Sequence, residues 1–173
     1  DQIDTLERKG VQAKTYNSSL KESEKDEVIG ALRLGYVNLL YVAPERFDDD
    51  DFVFLLKTIG INLFAVDESH SISQYGHDFR PAYRRLKKAI EILKPKQILA
   101  VTATATPAVQ NDICIQLGIP NAKRFVTGFF RDNLGIKVKF CDDTLKIDEI
   151  ACQVSDYNKQ GHNTGIIYVG TRN

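Results

Sequence analysis

The stretch INLFAVDESH, residues 61–70, joins an almost continuously apolar segment to two acids and a histidine. Apolar runs without alternation are typical of strands whose two sheet faces are both covered, as in parallel sheets. In open parallel sheets, ligands bind beyond the carboxyl ends of the strands. The stretch therefore predicts a buried strand that delivers Asp67 and Glu68 to a ligand-binding edge.

The segments around this strand alternate between helix-like and strand-like patterns. Periodicity, capping residues and closing glycines predict helices at 1–9, 20–34, 52–60, 81–93, 106–118 and 144–159. Apolar runs predict strands at 11–16, 37–43, 61–67 and 96–105, a β-like stretch at 124–140, and a last strand at 165–171. Alternating strands and helices indicate βαβ units, so the predicted fold class is α/β, a parallel sheet flanked by helices.

Two lobes are predicted along the chain. Residues 1–130 form an incomplete first α/β lobe, residues 131–173 begin a second one, and RDNLG at 131–135 is the candidate linker. The chain opens inside a predicted helix and closes after a predicted strand, so both ends are expected to be cut from a longer protein.

The composition indicates an ordinary soluble domain and excludes several classes of protein. Among 173 residues, 23 basic and 23 acidic side chains give zero net charge, so a nucleic-acid site would have to be local. No apolar run approaches the roughly 20 residues of a membrane span. Three scattered cysteines without CxxC spacing favour a reducing, intracellular compartment and argue against a disulfide framework or a zinc site.

The acids at the end of the predicted strand have a defined chemistry. An acid in the position of Asp67 can hold Mg²⁺ through water, and Glu68 can orient or deprotonate an attacking water. The bare pattern is weak, because many strands end in an acid that caps the next turn. His70 makes the pattern more specific, since DESH differs by one residue from the DEAH box of many helicases. A metal site of Asp67, His70 and His77 is a disfavoured alternative, because it lacks the spacing of zinc sites.

Two further acidic and aromatic features allow a structural and a functional interpretation. The acidic run 48–51 lies directly before a predicted helix, where acids complement the helix dipole, and a metal role for it is disfavoured.

The loop SISQYGHDFRP, residues 71–81, combines aromatic rings, an arginine and a glutamine. Such rings stack on unpaired bases and arginine pairs with phosphate, but Tyr75 and Phe79 can equally pack the loop down.

The chain resembles the RecQ family of DNA helicases over nearly its whole length. The resemblance rests on ordered segments that look like successive helicase motifs: DQIDTLERKGVQAKTYNSS, YVAPERF, VDESHSISQYGHDFRPAY, ILAVTATATPAVQNDI, GFFRDNLGIKV and GIIYVGTRN. It implies RecA-like lobes and an ATP-dependent 3′-to-5′ DNA helicase that acts on single-stranded and duplex DNA in recombination and repair. ATP and Mg²⁺ are the implied cofactors, and the implied location is the bacterial cytoplasm or the eukaryotic nucleus.

The resemblance also implies roles for individual residues. Asp67 would coordinate the Mg²⁺ of MgATP, Glu68 would activate water, and His70 would link the γ-phosphate site to the DNA site. The DNA-sensing loop would contain Gln74, Tyr75, His77, Phe79 and Arg80. The motif that couples the lobes would contain Thr102 and Thr104, and Arg172 falls in motif IV. The track for single-stranded DNA would contain Asn17, Ser18, Ser19, Glu45 and Arg46.

The chain departs from the family pattern in three places. Ser69 replaces the usual alanine, and Tyr75 stands where tryptophan is usual. The phosphate-binding pattern GxxxxGK[ST] is absent, and the family places it upstream of Asp1. The chain alone is therefore expected to be inactive. A degenerate nucleic-acid-binding module and a related DEAH-type translocase are the alternative interpretations.

Overall fold

The computed structural model describes residues 2–75, 78–128, 133–161 and 164–168. The chain divides into two compact units, Asp1–Arg124 and Phe125–Asn173. The predicted boundary between the lobes, at residue 130, lies a few residues after this division between the units, and it stays a prediction. No helix among the described residues is long and apolar enough to cross a membrane.

The first unit contains the predicted alternation of strands and helices. Its elements, in chain order, are α1 Gln2–Arg8, β1 Ala13–Tyr16, α2 Glu22–Arg33, β2 Leu39–Val42, α3 Asp50–Ile59, β3 Leu63–Val66, α4 Arg85–Leu93, β4 Gln97–Ala100 and α5 Pro107–Gln116. Short 3₁₀ turns occupy Pro44–Asp48, Ser69–Ile72 and Pro81–Arg84. The five helices and four strands predicted up to residue 118 thus correspond to the five helices and four strands described here.

Side-chain caps define where two of these helices begin. The Asp49 carboxylate accepts hydrogen bonds from the backbone N–H groups of Asp51 and Phe52, both at 3.1 Å. Thr106 caps α5 in the same way, with its hydroxyl 3.4 Å from the N–H of Val109. Asp49 thus caps α3, and Asp50 and Asp51 lie in its first turn, where the sequence predicts acids that complement the helix dipole.

The strands pair in parallel, as the α/β prediction requires. In the described residues they form two separate two-stranded sheets rather than one continuous sheet. Strand β1 pairs with β2 up to Tyr16 and Val42, and β3 pairs with β4 up to Val66 and Ala100. Each pair therefore has its carboxyl ends on one common edge.

An aromatic cluster packs the two strand pairs into one core. The ring of Tyr16 in β1 stacks on Phe52 of α3 with centroids 4.5 Å apart. Phe47, in the turn after β2, lies 6.2 Å from Phe52 and 5.5 Å from Phe64 of β3. Because these rings come from both strand pairs, their burial ties the carboxyl ends of the pairs to the same hydrophobic core.

The expectation that β3 and β4 are buried on both faces is wrong. Phe64 and Val66 are buried, whereas Leu63 is 51% exposed, and Leu99 of β4 is 48% exposed. The alternation arises because the described helices cover only one face of this strand pair, so every second side chain faces away from the core.

The second unit contains a 3₁₀ turn, Asp143–Leu145, and α6, Lys146–Lys159, which confirms the helix predicted there. The strands predicted over 124–140 and 165–171 are wrong for the described residues, which show no strand there. The apolar side chains that suggested them are exposed, with Ile136 at 90% and Tyr168 at 89%. Without a partner strand or a covering layer, such a segment gains neither ladder hydrogen bonds nor burial.

Candidate nucleotide and nucleic-acid site

The candidate residues lie where the strands of the first unit end. Asn17 follows β1, Glu45 and Arg46 lie in the turn after β2, Asp67 follows β3, and Thr102 lies just past β4. Since both strand pairs are parallel, each pair presents its two sets of side chains at one edge. This is the position at which open α/β folds bind ligands.

Asp67 and Glu68 form an exposed pair of carboxylates directly after β3. The Asp67 Oδ1 accepts a hydrogen bond from the backbone N–H of Glu68 at 2.8 Å. Glu68 has left-handed backbone angles, φ 47° and ψ 41°, which cost a non-glycine residue about 1–2 kcal/mol. The tight turn that follows β3 therefore holds Glu68 in a strained conformation, a feature that often occurs at functional sites.

His70 is the buried centre of this site. Its Nδ1 lies 2.9 Å from the Thr102 Oγ1 and 3.3 Å from a carboxylate oxygen of Glu68. The Thr102 oxygen also accepts a hydrogen bond from the N–H of Thr104 at 3.3 Å. One imidazole nitrogen therefore connects the carboxylate of the β3 end with the threonines of the β4 end.

Backbone hydrogen bonds hold the same two strand ends together. Val101 donates its N–H to the carbonyl of Val66, and Ser69 donates its N–H to the carbonyl of Val101, both at 2.9 Å. The side-chain hydroxyls of Ser69 and Ser71 are buried and have no hydrogen-bond partner among the described residues. The hydroxyl that distinguishes DESH from DEAH thus makes no compensating contact in this part of the chain.

The loop after the box places its side chains unequally. Gln74 is exposed and Tyr75 is 78% exposed, so the Tyr75 ring does not pack the loop down. Phe79 is half-buried, and the guanidinium carbon of Arg84 lies 5.0 Å from the centre of its ring. His77 lies outside the described residues.

Arg80 is tied to a carboxylate of its own loop. Its Nε and Nη2 donate to the Asp78 Oδ2 at 3.1 and 2.7 Å. This hydrogen bond, with the charge of Asp78, raises the pKa of Arg80. The cation that the resemblance assigns to DNA contact is therefore partly neutralised in this structure.

Tyr83 is a site residue that the sequence reasoning missed. Its hydroxyl lies 3.4 Å from the backbone carbonyl oxygen of Asp67. Burial raises the pKa of Tyr83; the nearby Arg80 opposes this shift, and the charges of Asp67, Glu68 and Glu45 add to it. The phenol therefore lies among the strand-end acids, the turn after β2 and the loop. Its only signal in the sequence is an aromatic residue two positions after the loop proline.

The residues assigned to a single-strand track have mixed surroundings. The Asn17 side chain accepts hydrogen bonds from the N–H and the hydroxyl of Ser19, at 3.0 and 2.7 Å, so it stabilises its own turn. Ser18 and Glu45 are exposed. The Arg46 guanidinium lies 5.9 Å from the centre of the Tyr16 ring, and its Nε is buried with no hydrogen-bond partner among the described residues. Arg172 lies outside the described residues.

The strand-end acids suit a hydrated cation better than a metal held by protein alone. No group of three or more histidine, cysteine, aspartate or glutamate side chains in the described residues is placed to hold a metal ion. Mg²⁺ keeps several of its waters and is usually bound through one or two carboxylates and phosphate oxygens. The exposed carboxylates of Asp67 and Glu68 fit this mode of binding.

Comparison with known proteins identifies the family of the chain. The DEAD/DEAH box helicase family model matches residues 1–113. The ATP-dependent DNA helicase RecQ of Bacillus subtilis is 41% identical over 99% of this chain and 28% of its own length. RecQ of Haemophilus influenzae is 34% identical over 100% of this chain and 27% of its own length. The probable ATP-dependent DNA helicase RecS of Bacillus subtilis is 35% identical over 99% of this chain and 34% of its own length.

The fold and the strand-end acids thus define a RecA-like α/β domain of the helicase class. The chain belongs to the DEAD/DEAH box helicase family and, within it, to the RecQ helicases. It spans about a quarter of the length of the RecQ proteins it matches, 28% and 27% of the two named above.

Proposed function

We propose that this chain is part of an ATP-dependent DNA helicase that couples ATP hydrolysis to movement along single-stranded DNA and to unwinding of duplex DNA. The observation that carries the proposal is the contact of His70 with both Glu68 and Thr102, beside a loop that exposes Tyr75. The names of the relatives, all ATP-dependent DNA helicases, support the same activity. The 3′-to-5′ direction and a role in recombination and repair inside the cell belong to this proposal.

Asp67 and Glu68 would divide the chemistry between them. Asp67 would hold Mg²⁺ through water, and bound MgATP would supply the phosphoryl group that is transferred. Glu68 would accept a proton from the attacking water, because its carboxylate is exposed at the strand end. His70 would keep Glu68 in place, since its Nδ1 lies 3.3 Å from the Glu68 carboxylate.

The DNA side of the proposal uses exposed and half-buried residues of the loop after β3 and of the turns after β1 and β2. Tyr75 and Phe79 would stack on bases, and Ser18, Ser19, Glu45 and Arg46 would lie along the strand. His70 and Thr102 would connect this side to the acids, because their contact joins the ends of β3 and β4.

The chain by itself should hydrolyse essentially no ATP. Phosphoryl transfer depends on positioning and electrostatic clamping of the phosphates, and no GxxxxGK[ST] segment occurs in the 173 residues. The test is phosphate release from the purified chain and from the longer protein that contains it, each with and without single-stranded DNA. We expect turnover only in the longer protein, and only there should DNA increase it.

Two results would contradict the proposal in different ways. Turnover by the chain alone above about 1 s⁻¹, within the usual enzyme range, would show that the missing loop is not required. A longer protein that binds DNA but hydrolyses no ATP would favour the degenerate binding module, and one that hydrolyses ATP without unwinding would favour a translocase.

A further inference from the structure

Arg84 is an exposed cation that neither the motifs nor the resemblance assign to any role. It directly precedes α4, and its guanidinium carbon lies 5.0 Å from the centre of the Phe79 ring. This distance is within the range of a cation–π contact. Phe79 is half-buried and Arg84 is exposed, so the contact with the ring leaves the guanidinium accessible to solvent.

The arginines of this region differ in whether they already have an anionic partner. Arg80 is bound to Asp78 through two nitrogen atoms, and Arg85 forms an ion pair with Asp48. Arg84 makes no ion pair with any carboxylate in the described part of the chain. A phosphate would have to displace a carboxylate from Arg80 or Arg85, whereas at Arg84 it meets an unneutralised guanidinium.

A guanidinium held over an aromatic ring is well suited to bind a phosphodiester. The contact with the ring restricts the side chain, and the N–H donors of any guanidinium form a rigid planar fork that matches phosphate geometry. We propose that Arg84 and Phe79 form one nucleotide-binding pair, in which Arg84 binds a backbone phosphate of single-stranded DNA. This rests on the function proposed above and gives the main phosphate contact in this region to Arg84, in the turn after the loop, rather than to Arg80 of the loop.

The test is single-stranded DNA binding by the longer protein as a function of salt. The probe is a fluorescent oligothymidylate followed by anisotropy, and the variants are Arg84→Gln and Arg85→Gln. Each lost phosphate contact reduces the slope of log affinity against log salt by about 0.7 for single strands. We expect Arg84→Gln to show this reduction and roughly tenfold weaker binding at low salt.

Arg85→Gln is the matched control, because it removes an adjacent arginine that already pairs with Asp48. We expect its salt slope to equal that of the wild type. Arg84→Lys separates charge from geometry: the slope should be retained, while affinity should fall because lysine lacks the planar fork.

The outcomes separate this inference from the proposed function. A wild-type protein that does not bind the oligonucleotide overturns the proposed function and the inference together. A wild-type protein that binds it with the same salt slope as Arg84→Gln overturns the inference alone. An unchanged slope with a lowered melting temperature would assign the Arg84–Phe79 contact to loop stability, which also overturns it.

Discussion

At the scale of single residues, His70 carries the connection between the two halves of the site. Its side chain is buried, and its Nδ1 faces the Thr102 hydroxyl at 2.9 Å and the Glu68 carboxylate at 3.3 Å. This one nitrogen is shared between two oxygen partners, so the strength of its contact with either one depends on the position of the other. A movement of Thr102 would therefore change how firmly His70 holds Glu68.

Glu68→Gln in the longer protein tests whether Glu68 is the base. The substitution keeps size and hydrogen bonding and removes proton acceptance, so the ATPase rate should fall by about 10²–10⁴, while ATP binding is retained. The measurements are kcat and nucleotide affinity. Glu91→Gln, on the exposed surface of α4, is the control and should leave both values as in the wild type. A Glu68→Gln rate within about threefold of wild type, under ~0.7 kcal/mol, would exclude Glu68 as the base.

Ser69→Ala tests the cost of the unusual hydroxyl in the box. The Ser69 Oγ is buried without a hydrogen-bond partner among the described residues, and such a group costs about 1–3 kcal/mol. The alanine variant should therefore have a higher free energy of unfolding, by roughly 1 kcal/mol, in urea denaturation of the chain. Ser18→Ala, at an exposed position, should leave it the same. A destabilised Ser69→Ala chain would mean that the hydroxyl has a partner.

At the scale of elements, the segment 71–81 joins the strand-end acids to α4. Its backbone is fixed at one point by the N–H of Arg80, which donates to the carbonyl of Ser71 at 2.8 Å. Tyr83 lies two residues after this segment, and its hydroxyl is 3.4 Å from the Asp67 carbonyl oxygen. A change in the conformation of the loop can therefore reach Asp67, the residue that would hold Mg²⁺, through the contact of Tyr83 with its carbonyl oxygen.

Phe79→Ala tests whether this element couples DNA binding to hydrolysis. One lost stacking contact costs about 1–3 kcal/mol of binding, which a high DNA concentration overcomes. A high DNA concentration does not restore a lost coupling between DNA binding and ATP hydrolysis. The ratio of DNA-stimulated to unstimulated kcat should therefore fall even at saturating DNA. The measurement is kcat against DNA concentration, with affinity determined separately by anisotropy.

Tyr75→Phe is the control for this experiment, because it keeps a ring at an exposed position of the same loop. We expect it to keep most of the stimulation. If the kcat of Phe79→Ala recovers fully at high DNA, the loop is a binding surface only. If both rates fall together with the melting temperature, Phe79 serves to pack the loop.

At the scale of the whole molecule, the first unit has its core on one side of the β3–β4 pair. Leu56 of α3 is buried at 4% exposure, whereas Leu99 of β4 is 48% exposed. Burial of apolar area is the main favourable term in folding, so the two leucines should contribute very differently to stability.

Leu56→Ala and Leu99→Ala form a matched pair that tests this asymmetry. Truncation of a buried leucine costs about 2–5 kcal/mol, so Leu56→Ala should destabilise the chain severely. Leu99→Ala should cost about 1 kcal/mol or less, because half of its side chain is already in water. Urea denaturation of both variants measures the difference, and equal costs would show that the face carrying Leu99 is covered in solution.

The amino-acid sequence by itself determined the features that depend on neighbouring residues. Asp49 and Thr106 cap their helices because a side chain and the N–H groups two or three positions on are close in any helix start. Asp67 and Glu68 end a strand because the apolar run stops there. The order of the family motifs is likewise a property of the sequence alone.

The tertiary structure decided what depends on residues far apart in the chain. The His70–Thr102 contact joins positions 32 residues apart, and Tyr83 reaches Asp67 across 16. The alternating burial of β3 and the absence of strands in the described part of 124–140 depend on which faces find a covering layer. Local propensity cannot specify these, because burial and long-range hydrogen bonds exist only once separate elements pack together.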